Sequence, residues 1–354
     1  MQITPESAWE ALPQPFLARE AHAAGLSSNS IAGALRRREI ITVAPSLYAV
    51  CKLWVDLTPQ QLHLAMARAG SASVDTAVVS HLSAALVHGL PHPLGPLGPV
   101  SLTLPSSSRT AARDDWRRVL DGELPTAHVT EVSGIPVTTA DRTVIDCFRQ
   151  LRLRDALAVA DGALRSGLAH VGGLQDMRVF QSRWPGVTKA DAGLALADAR
   201  RESWLESASV ATACQLGFSV PRSQVWIHHL DGRLIGRVDF VWAQAGVVGE
   251  ADGRGKYLGT YARSDWDAEE AADHMLAERD RERQLESVGL AVARWDTRAV
   301  LGGGDGLVKA LREAGRRADP GRIRCLWRQD EDDDLLPWKA IDLNLGGDDG
   351  PRAA

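Results

Sequence analysis

The chain has 354 residues, of which 45% are hydrophobic, and its formal net charge is −5. That length exceeds one typical domain, so we expect two or three domains. An acidic balance argues against a protein that coats nucleic acid indiscriminately. The sequence has no run of eighteen apolar residues, and its start, MQITPESAWE, lacks a signal-peptide pattern. We therefore expect a cytoplasmic protein with no membrane partner and with reduced cysteines.

Residues 1–55 have the order of elements typical of a winged helix-turn-helix. Helical spacing in PFLAREAHAAG predicts a first helix that ends at Gly25, and Ser28 is a candidate N-cap for a second helix. The segment IITVAPSLYAV then predicts two short strands that turn at Pro45 and Ser46. Helix, glycine turn, helix and hairpin is the order of a winged DNA-binding domain.

The second predicted helix carries the candidate DNA contacts. Three small polar residues lie near its start and three cations end it: Ser28, Asn29 and Ser30, then Arg36, Arg37 and Arg38. The small polar residues are placed to reach base edges, whereas the arginines would grip phosphates. Cations at a helix end also suit the helix dipole whatever the function. With one such helix in the chain, a homodimer would help to reach useful affinity for double-stranded DNA.

Three further blocks follow along the chain. Residues 56–195 predict a mixed α+β domain, in which helical segments such as ADRTVIDCFRQL and DALAVADGALRSG accompany the strand-like VSLTLP and AHVTEVSGIPVTT. Residues 196–300 predict helix, strand, strand hairpin, helix and strand, which makes an α/β domain. Residues 301–354 include the strongly acidic QDEDDDLLPWKAIDLNLGGDDG, so we expect an acidic, partly disordered tail.

The stretch RVDFVWAQAGVVGEADGRGKY places carboxylates where a buried hairpin would favour valine. A turn at its AQAG letters sets Asp239 opposite Glu250 and Asp252 opposite Arg237. Residues two apart on a strand share a face, so these four side chains gather on one side. The other side is a predicted core face and carries Val238, Phe240 and Trp242.

Facing carboxylates need a physical explanation. Like charges opposite each other destabilise a pair of strands by up to about 1 kcal/mol, and burial adds to this. Mg²⁺ or Mn²⁺ would remove the conflict, since a hard cation prefers oxygen ligands and often sits beside a phosphate. The alternatives are a register that differs by one residue, which would send these carboxylates to the opposite face, or a solvated pair of Arg237 and Asp252.

The segments SWLESASVATACQLGFSVPRSQVWIHHLDGRLIGRVDFVWAQAGVVGEADGRGKY and LAERDRERQLESVGLAVARWD resemble the Vsr-like branch of the PD-(D/E)xK nuclease superfamily. The resemblance covers most of residues 200–300. It implies a restriction-endonuclease-like α/β fold and a Mg²⁺-dependent DNA endonuclease. It also implies that Asp239 and Glu250 are metal-binding acids and that Glu206 is the acid on the preceding helix.

The chain departs from the superfamily motif at one position, because Asp252 stands where the motif has a lysine. Asp252 would then be a further ligand or an orienter, and Lys256 is the candidate cation for the charge that develops on the phosphate. Loss of the lysine is also compatible with a domain that binds DNA without cutting it. Arg279 and Arg283, four apart on the long helix, are candidate phosphate contacts, and a solvated face is the alternative.

The winged-helix pattern, together with VVSHLSAALVHGLP, VSLTLP and GIPVTTADRTVIDCF, is similar to the AbiEi antitoxins of type IV toxin–antitoxin systems. This similarity covers roughly residues 5–170. It implies a transcriptional autorepressor paired with a separately encoded nucleotidyltransferase toxin. The family wing usually has a basic tip, whereas VAPSLY has no positive charge. Two functions follow, a DNA endonuclease in a defence or toxin–antitoxin context and a non-catalytic antitoxin that represses transcription.

Overall fold

The chain folds into two compact units that each combine helices with β-sheet. The computed structural model describes residues 5–105, 114–253 and 268–341. Unit 1 comprises residues 1–152 and 166–191, and unit 2 comprises residues 153–165 and 192–354. The molecule is therefore a mixed α/β protein with several sheets. Among the described residues, no helix has the length and apolar character needed to span a bilayer.

The first part of unit 1 contains a three-stranded antiparallel sheet of order β1-β3-β2. Its elements are α1 (Pro5–Glu10), β1 (Phe16–Leu17), α2 (Ala18–Ala23), α3 (Ser28–Arg36), β2 (Ile40–Ala44), β3 (Leu47–Val50) and α4 (Cys51–Trp54). The apolar faces of the helices and strands enclose a core that includes Trp9, Phe16, Ile31 and Ile40. The hairpin of β2 and β3 turns at Pro45 and Ser46, as predicted.

The predicted break at Gly25 is confirmed, because α2 ends before it and its φ of +81° is one that glycine adopts without strain. The prediction that Phe16 and Leu17 are helical was wrong. They pair with Tyr48 and Leu47 of β3, so both side chains are buried as part of a strand. Helical spacing cannot distinguish a short buried strand from the first turn of the helix that follows it.

The second part of unit 1 contains a five-stranded sheet of order β6-β5-β4-β8-β7. Its first elements are α5 (Pro59–Ser73), β4 (Val78–Val79), α6 (His81–Val87), β5 (Val100–Pro105), β6 (Arg117–Gly122), β7 (Val129–Val132), β8 (Ile135–Thr138) and α7 (Ala140–Gln150). The chain then forms α8 (Leu153–Arg165), which belongs to unit 2, and returns to unit 1 for α9 (Val171–Phe180). Helix α10 (Thr188–Leu194) includes residue 191, where unit 1 ends. The predicted strands in VSLTLP and AHVTEVSGIPVTT are confirmed.

Unit 2 is built on a six-stranded mixed sheet of order β12-β11-β10-β9-β13-β14. After α8, its elements are α11 (Trp204–Gln215), β9 (Arg222–His228), β10 (Leu234–Trp242), β11 (Val247–Asp252), α12 (Ala268–Ser287), β12 (Ala291–Asp296), α13 (Thr297–Leu301), α14 (Asp305–Arg317), β13 (Leu326–Arg328) and β14 (Leu336–Pro337). Strands β9, β10 and β11 are antiparallel, whereas β12 is parallel to β11. The predicted order of helix, strand, hairpin, helix and strand is therefore present.

The boundaries of the units differ from the domain boundaries predicted at residues 195 and 300. Helix α8 lies in unit 2, where Asp161 Oδ2 accepts a 2.7 Å hydrogen bond from Arg201 Nε and Asp155 Oδ1 accepts one from Trp204 Nε1. Periodicity shows that a helix buries one face, but it does not show which neighbour covers that face.

Residues 301–341 are not a solvated tail, which corrects the prediction for 301–354. They form α14 and the strands β13 and β14, and β13 pairs with β9 at the edge of the sheet. Trp327 of β13 is 2% exposed and belongs to the apolar core. The acidic residues QDEDDD lie in the connection between these two strands. Their composition indicates solvent exposure for that connection, but not for the strands on either side of it. Residues 342–354 lie outside the described part of the chain.

The register predicted for β10 and β11 is confirmed, with Phe240 opposite Gly249 and the next two pairs in step. One part of this prediction was wrong, because Val238 lies in a different core cluster from Phe240. The alternation of faces is interrupted at Asp239. This residue lies across from Gln224, whose φ of +55° is unusual for a residue with a Cβ.

Candidate functional site

Glu206 lies in the first turn of α11, where it is 6% exposed. Ser203 Oγ accepts the Glu206 N–H at 3.2 Å and donates to Glu206 Oε1 at 2.7 Å. Glu206 Oε2 accepts the N–H of Glu202 at 3.0 Å. The acid therefore helps to cap its own helix, a role that the spacing of serine and glutamate in SWLE indicates in the sequence.

Gln224 joins two of the predicted acids. Its Nε2 donates to Glu206 Oε2 at 2.8 Å and to Asp239 Oδ1 at 3.4 Å. The other oxygen of Asp239 accepts the N–H of Ala251 at 2.8 Å. A left-handed backbone at a residue such as Gln224 costs on the order of 1–3 kcal/mol and is typical of functional sites. Nothing in its sequence neighbourhood marks Gln224, so the sequence analysis missed it.

Glu250 of β11 is an acid of the site with a raised pKa. Its Oε2 lies 3.2 Å from Arg281 Nη2, whereas its Oε1 is buried with no hydrogen-bond partner among the described residues. Burial raises the pKa of Glu250 to about 7, the charge of Asp239 adds to the rise, and Arg281 opposes it. A carboxyl group with this pKa exchanges its proton near neutrality, which is a common property of functional acids.

Among the arginines at positions 279, 281 and 283 of α12, Arg281 is the one that forms an ion pair with Glu250. Arg279 and Arg283 are exposed, and Arg283 forms an ion pair with its helix neighbour Asp280 at 3.2 Å. Arg281 lies four residues before Leu285, which is 1% exposed, so the two share the buried face of α12. That spacing was available in the sequence and would have identified Arg281.

The β10–β11 pairing covers the pairs from Trp242 with Val247 to Phe240 with Gly249, so it does not extend to the predicted pair of Asp252 and Arg237. Asp252 pairs in register with Asp296 of the parallel strand β12, and Arg237 forms an ion pair with Glu202 at 2.9 Å. The ladder between β10 and β11 ends at Phe240 and Gly249. Two residues further along β11, the N–H of Ala251 donates to the Asp239 side chain instead of to the backbone of β10. Lys256 lies outside the described residues.

The oxygen donors around Asp239 and Glu250 can be compared with what a divalent cation requires. Within residues 5–105, 114–253 and 268–341, no group of three or more His, Cys, Asp or Glu side chains is arranged to hold a metal ion. Asp239 and Glu250 are neighbours, however, and the partnerless oxygen of Glu250 suits a hard cation. Glu206 reaches them only through the Gln224 amide, whose oxygen end is also a suitable ligand. The two carboxylates and the amide oxygen are donors of the chemical type that Mg²⁺ or Mn²⁺ prefers.

Helix α3 presents most of the predicted DNA contacts to solvent. Its N-cap is Ser27, not Ser28, because Ser27 Oγ accepts the Ser30 N–H at 3.1 Å. Ser28 and Asn29 are exposed, whereas Ser30 is partly buried and lies 2.9 Å from Ser27 through its Oγ. The helix start therefore offers two accessible polar side chains.

The three arginines at the end of α3 are all exposed but are not equivalent. Arg37 forms two hydrogen bonds with Glu39, at 2.7 and 3.0 Å, which neutralise its charge locally. Arg38 has a left-handed backbone, with φ of +58°, at the position where the chain leaves the helix. Arg36 and Arg38 form no ion pair within the described ranges, so they are the cations available to phosphates.

Comparison with known proteins gives limited similarity. No family model matches the sequence. Uncharacterized proteins MT2308 and Rv2248 of two Mycobacterium tuberculosis strains are each 30% identical over 166 residues, which is 47% of this chain and 56% of theirs. The chain thus spans about half the length of these curated relatives. The crystal structure of RV2827C from Mycobacterium tuberculosis aligns with a TM-score of 0.37 and 15% identity over 55% of this chain and 78% of that one. A TM-score this low does not establish a common fold.

Proposed function

We propose that unit 2 is a Mg²⁺-dependent DNA endonuclease domain of the PD-(D/E)xK type, and that the start of unit 1 is a winged helix that binds double-stranded DNA. The observation that carries this proposal is the buried, partnerless oxygen of Glu250 beside Asp239. The order of α11, β9, β10, β11, α12 and β12, with β12 parallel to β11, supports it. So does the strained Gln224 at the same point of the sheet.

The side chains at the site have different proposed roles. Asp239 and Glu250 would hold the ion, and Gln224 links Asp239 to Glu206. Bound Mg²⁺ polarises the phosphodiester and lowers the pKa of an attacking water. Arg281 stabilises the ionised form of Glu250 and presents a partly exposed guanidinium group, which suits a phosphate oxygen. Lys256 and Asp252 remain the proposed further cation and further ligand.

Plasmid nicking tests the endonuclease function. The wild type, Asp239→Asn and Glu250→Gln are incubated with supercoiled DNA and Mg²⁺ or with a chelator. We expect Mg²⁺-dependent nicking by the wild type and a loss of about a hundredfold or more in both variants. Glu286→Gln, an exposed change on α12, is the matched control and should nick at the wild-type rate. Equal nicking by the wild type and Asp239→Asn would eliminate the mechanism.

A non-catalytic antitoxin that represses its own transcription is the second candidate. It is favoured by the accessible Ser28, Asn29, Arg36 and Arg38 of α3 and by Asp252 in place of the motif lysine. A mobility-shift assay on its own promoter, with and without chelator, separates the two functions. Metal-independent binding that Arg36→Gln weakens, without cleavage, supports the repressor. A homodimer and a nucleotidyltransferase toxin are the partners that this function proposes.

A further inference from the structure

Unit 1 contains a cavity of about 630 Å³ that the proposed nuclease and DNA-binding functions do not use. Strands β5 and β6 contribute to its wall with Thr103 and Arg118, and helix α7 contributes Arg142 and Arg149. Trp184, in the segment after α9, also lines the cavity. Its volume lies in the range of about 300–1,000 Å³ that is usual for small-molecule sites.

The inner wall has more positive than negative charge. Arg142 and Arg149 both bind the carboxylate of Asp146, each at 2.8 Å, and Asp146 is fully buried. Both guanidinium groups lie over the Trp184 ring, with their Cζ atoms 4.5 and 5.0 Å from its centroid. One carboxylate thus serves two arginines. An anion in the cavity would balance the remaining positive charge, which is costly to bury alone.

The outer part of the cavity adds two cations and two acids. Arg118 and Arg183 are exposed and form no ion pair in the described part of the chain. Each presents a guanidinium fork that matches the oxygens of a phosphate. Asp121 and Glu123 are also exposed there, and their carboxylates can accept hydrogen bonds from hydroxyl or amino groups. The two sets of groups suit a ligand with a phosphate at one end and hydroxyl groups elsewhere.

His81 provides a neutral donor in the same cavity. It is 4% exposed, and burial lowers its pKa to about 4, so the ring is uncharged at neutral pH. Thr103 Oγ1 donates to Ser80 Oγ, which lies 2.9 Å from His81 Nδ1. In the tautomer in which Ser80 donates to Nδ1, the imidazole hydrogen lies on Nε2 and can be donated to a ligand. Its backbone φ of +55° is a strained conformation of the kind kept at functional sites.

We propose that this cavity binds a small phosphate monoester carried on a hydroxyl-bearing group, such as a nucleotide or a sugar phosphate. Arg118, Arg149 and Arg183 would bind the phosphate oxygens, with His81 as a further donor. Asp121 and Glu123 would accept from the hydroxyl groups. The inference does not depend on the nuclease, because every residue that it uses belongs to unit 1.

Calorimetric titration of the full chain tests the proposal. The probes are adenosine monophosphate, ribose 5-phosphate, inorganic phosphate and adenosine. We expect at least one ester to bind and adenosine not to bind. Arg118→Gln and Arg183→Gln should each weaken ester binding by about tenfold or more, since each variant loses charge-assisted hydrogen bonds to the phosphate. Both residues are exposed and without ion pairs in the described ranges, so these variants should fold. Arg152→Gln, an exposed change just after α7, is the matched control and should bind like the wild type.

Each alternative result has a defined meaning. Failure of both esters to bind, or equal ester binding by the wild type and both cavity variants, overturns the proposal. Inorganic phosphate that binds as tightly as the esters shows a bare anion site and overturns the ester assignment. Displacement of a bound ester by a short DNA duplex overturns the assignment to a small molecule. Tighter binding of adenosine monophosphate than of ribose 5-phosphate supports a nucleotide, and comparable binding supports a sugar phosphate.

Discussion

Arg281 Nη2 lies 3.2 Å from Glu250 Oε2, so an acid predicted to bind metal already has a cationic neighbour. The pairing is incomplete, because the other oxygen of Glu250 has no hydrogen-bond partner among the described residues. A buried carboxylate with one partnerless oxygen costs folding free energy. Such a cost is expected where a side chain serves function rather than stability.

Glu250→Gln should stabilise unit 2 at alkaline pH. The pKa of Glu250 is about 7 in the folded chain, above its ordinary value of 4.5. Ionisation therefore lowers the stability as pH rises from 4.5 through 7, by on the order of 2–3 kcal/mol. The variant lacks this ionisation, so its free energy of unfolding should exceed that of the wild type at pH 8. Denaturant unfolding at pH 5 and pH 8 measures the difference, with Glu286→Gln as control. An advantage of equal size at both pH values would contradict the assigned cause.

Arg281→Gln should raise the pKa of Glu250 further. The guanidinium group favours the ionised carboxyl group, so its loss leaves the charge of Arg294 alone to oppose burial and the charge of Asp239. The pH above which the free energy of unfolding stops falling should therefore rise by about half a unit or more. Arg283→Gln, on the exposed face of the same helix, should leave the profile unchanged. If both variants shift the profile equally, the effect comes from net charge and not from the ion pair.

Gln224→Glu should make the stability of unit 2 depend on divalent metal. The change replaces an amide that donates to Glu206 and Asp239 with a third carboxylate. Repulsion should lower the Tm in chelator, and Mg²⁺ should restore it, because binding to the folded chain stabilises that state. Thermal unfolding with and without Mg²⁺ is the measurement, and Gln284→Glu on α12 is the control. A variant that Mg²⁺ stabilises no more than the wild type would argue against a cation at this position.

Asp161→Ala should destabilise unit 2 by about 3–5 kcal/mol, because it leaves a buried arginine unpaired. Arg201 donates to both oxygens of Asp161, at 2.7 and 3.1 Å, and both side chains are almost fully buried. Asp161 also accepts the N–H of Asp198. Calorimetry of unfolding is the measurement. Asp176→Ala, at an exposed residue of α9 in unit 1, should have little effect. A loss below about 1 kcal/mol would mean that α8 is not held as described.

Unit 1 should lose stability in mild acid. Burial lowers the pKa values of His63 and His81 from 6.5 to about 4, so both are neutral when folded and take up protons on unfolding. Their contribution is complete above pH 6.5 and is lost as pH falls toward 4. His81→Asn removes one of these groups, and asparagine tolerates the left-handed backbone at this position. The variant should reduce the acid-induced loss of unfolding free energy by on the order of 1–3 kcal/mol. The free energy of unfolding at pH 4.5 and pH 7 is the measurement, and the exposed His22→Asn should leave the loss unchanged.

Local chemistry in the sequence predicted much of the fold. The AQAG turn determined the register of β10 and β11, since the turn length determines which residues face each other. Gly25 and the Pro45–Ser46 turn marked real ends of elements for similar reasons. The predicted acids Glu206 and Asp239 both accept hydrogen bonds from the Gln224 amide.

Tertiary context decided what the sequence did not show. Gln224 lies between two acids because of a strained backbone that no pattern of letters encodes. The cavity beside Trp184 depends on side chains from β5, β6, α7 and the segment after α9. The membership of α8 in unit 2 depends on the buried pair of Asp161 and Arg201, whose partners are 40 positions apart. Local periodicity carries no information about such pairs.

The two units alternate along the sequence, and this limits which segments of the gene can be exchanged without disrupting a unit. The backbone changes unit after residues 152, 165 and 191, so a single breakpoint cannot release either unit intact. A fragment that begins at residue 196 lacks α8. Ala158 of α8 is fully buried in the same apolar cluster as Trp204, so this fragment would lose part of its core. Replacement of unit 2 by a homologous unit therefore has to include the thirteen residues of α8.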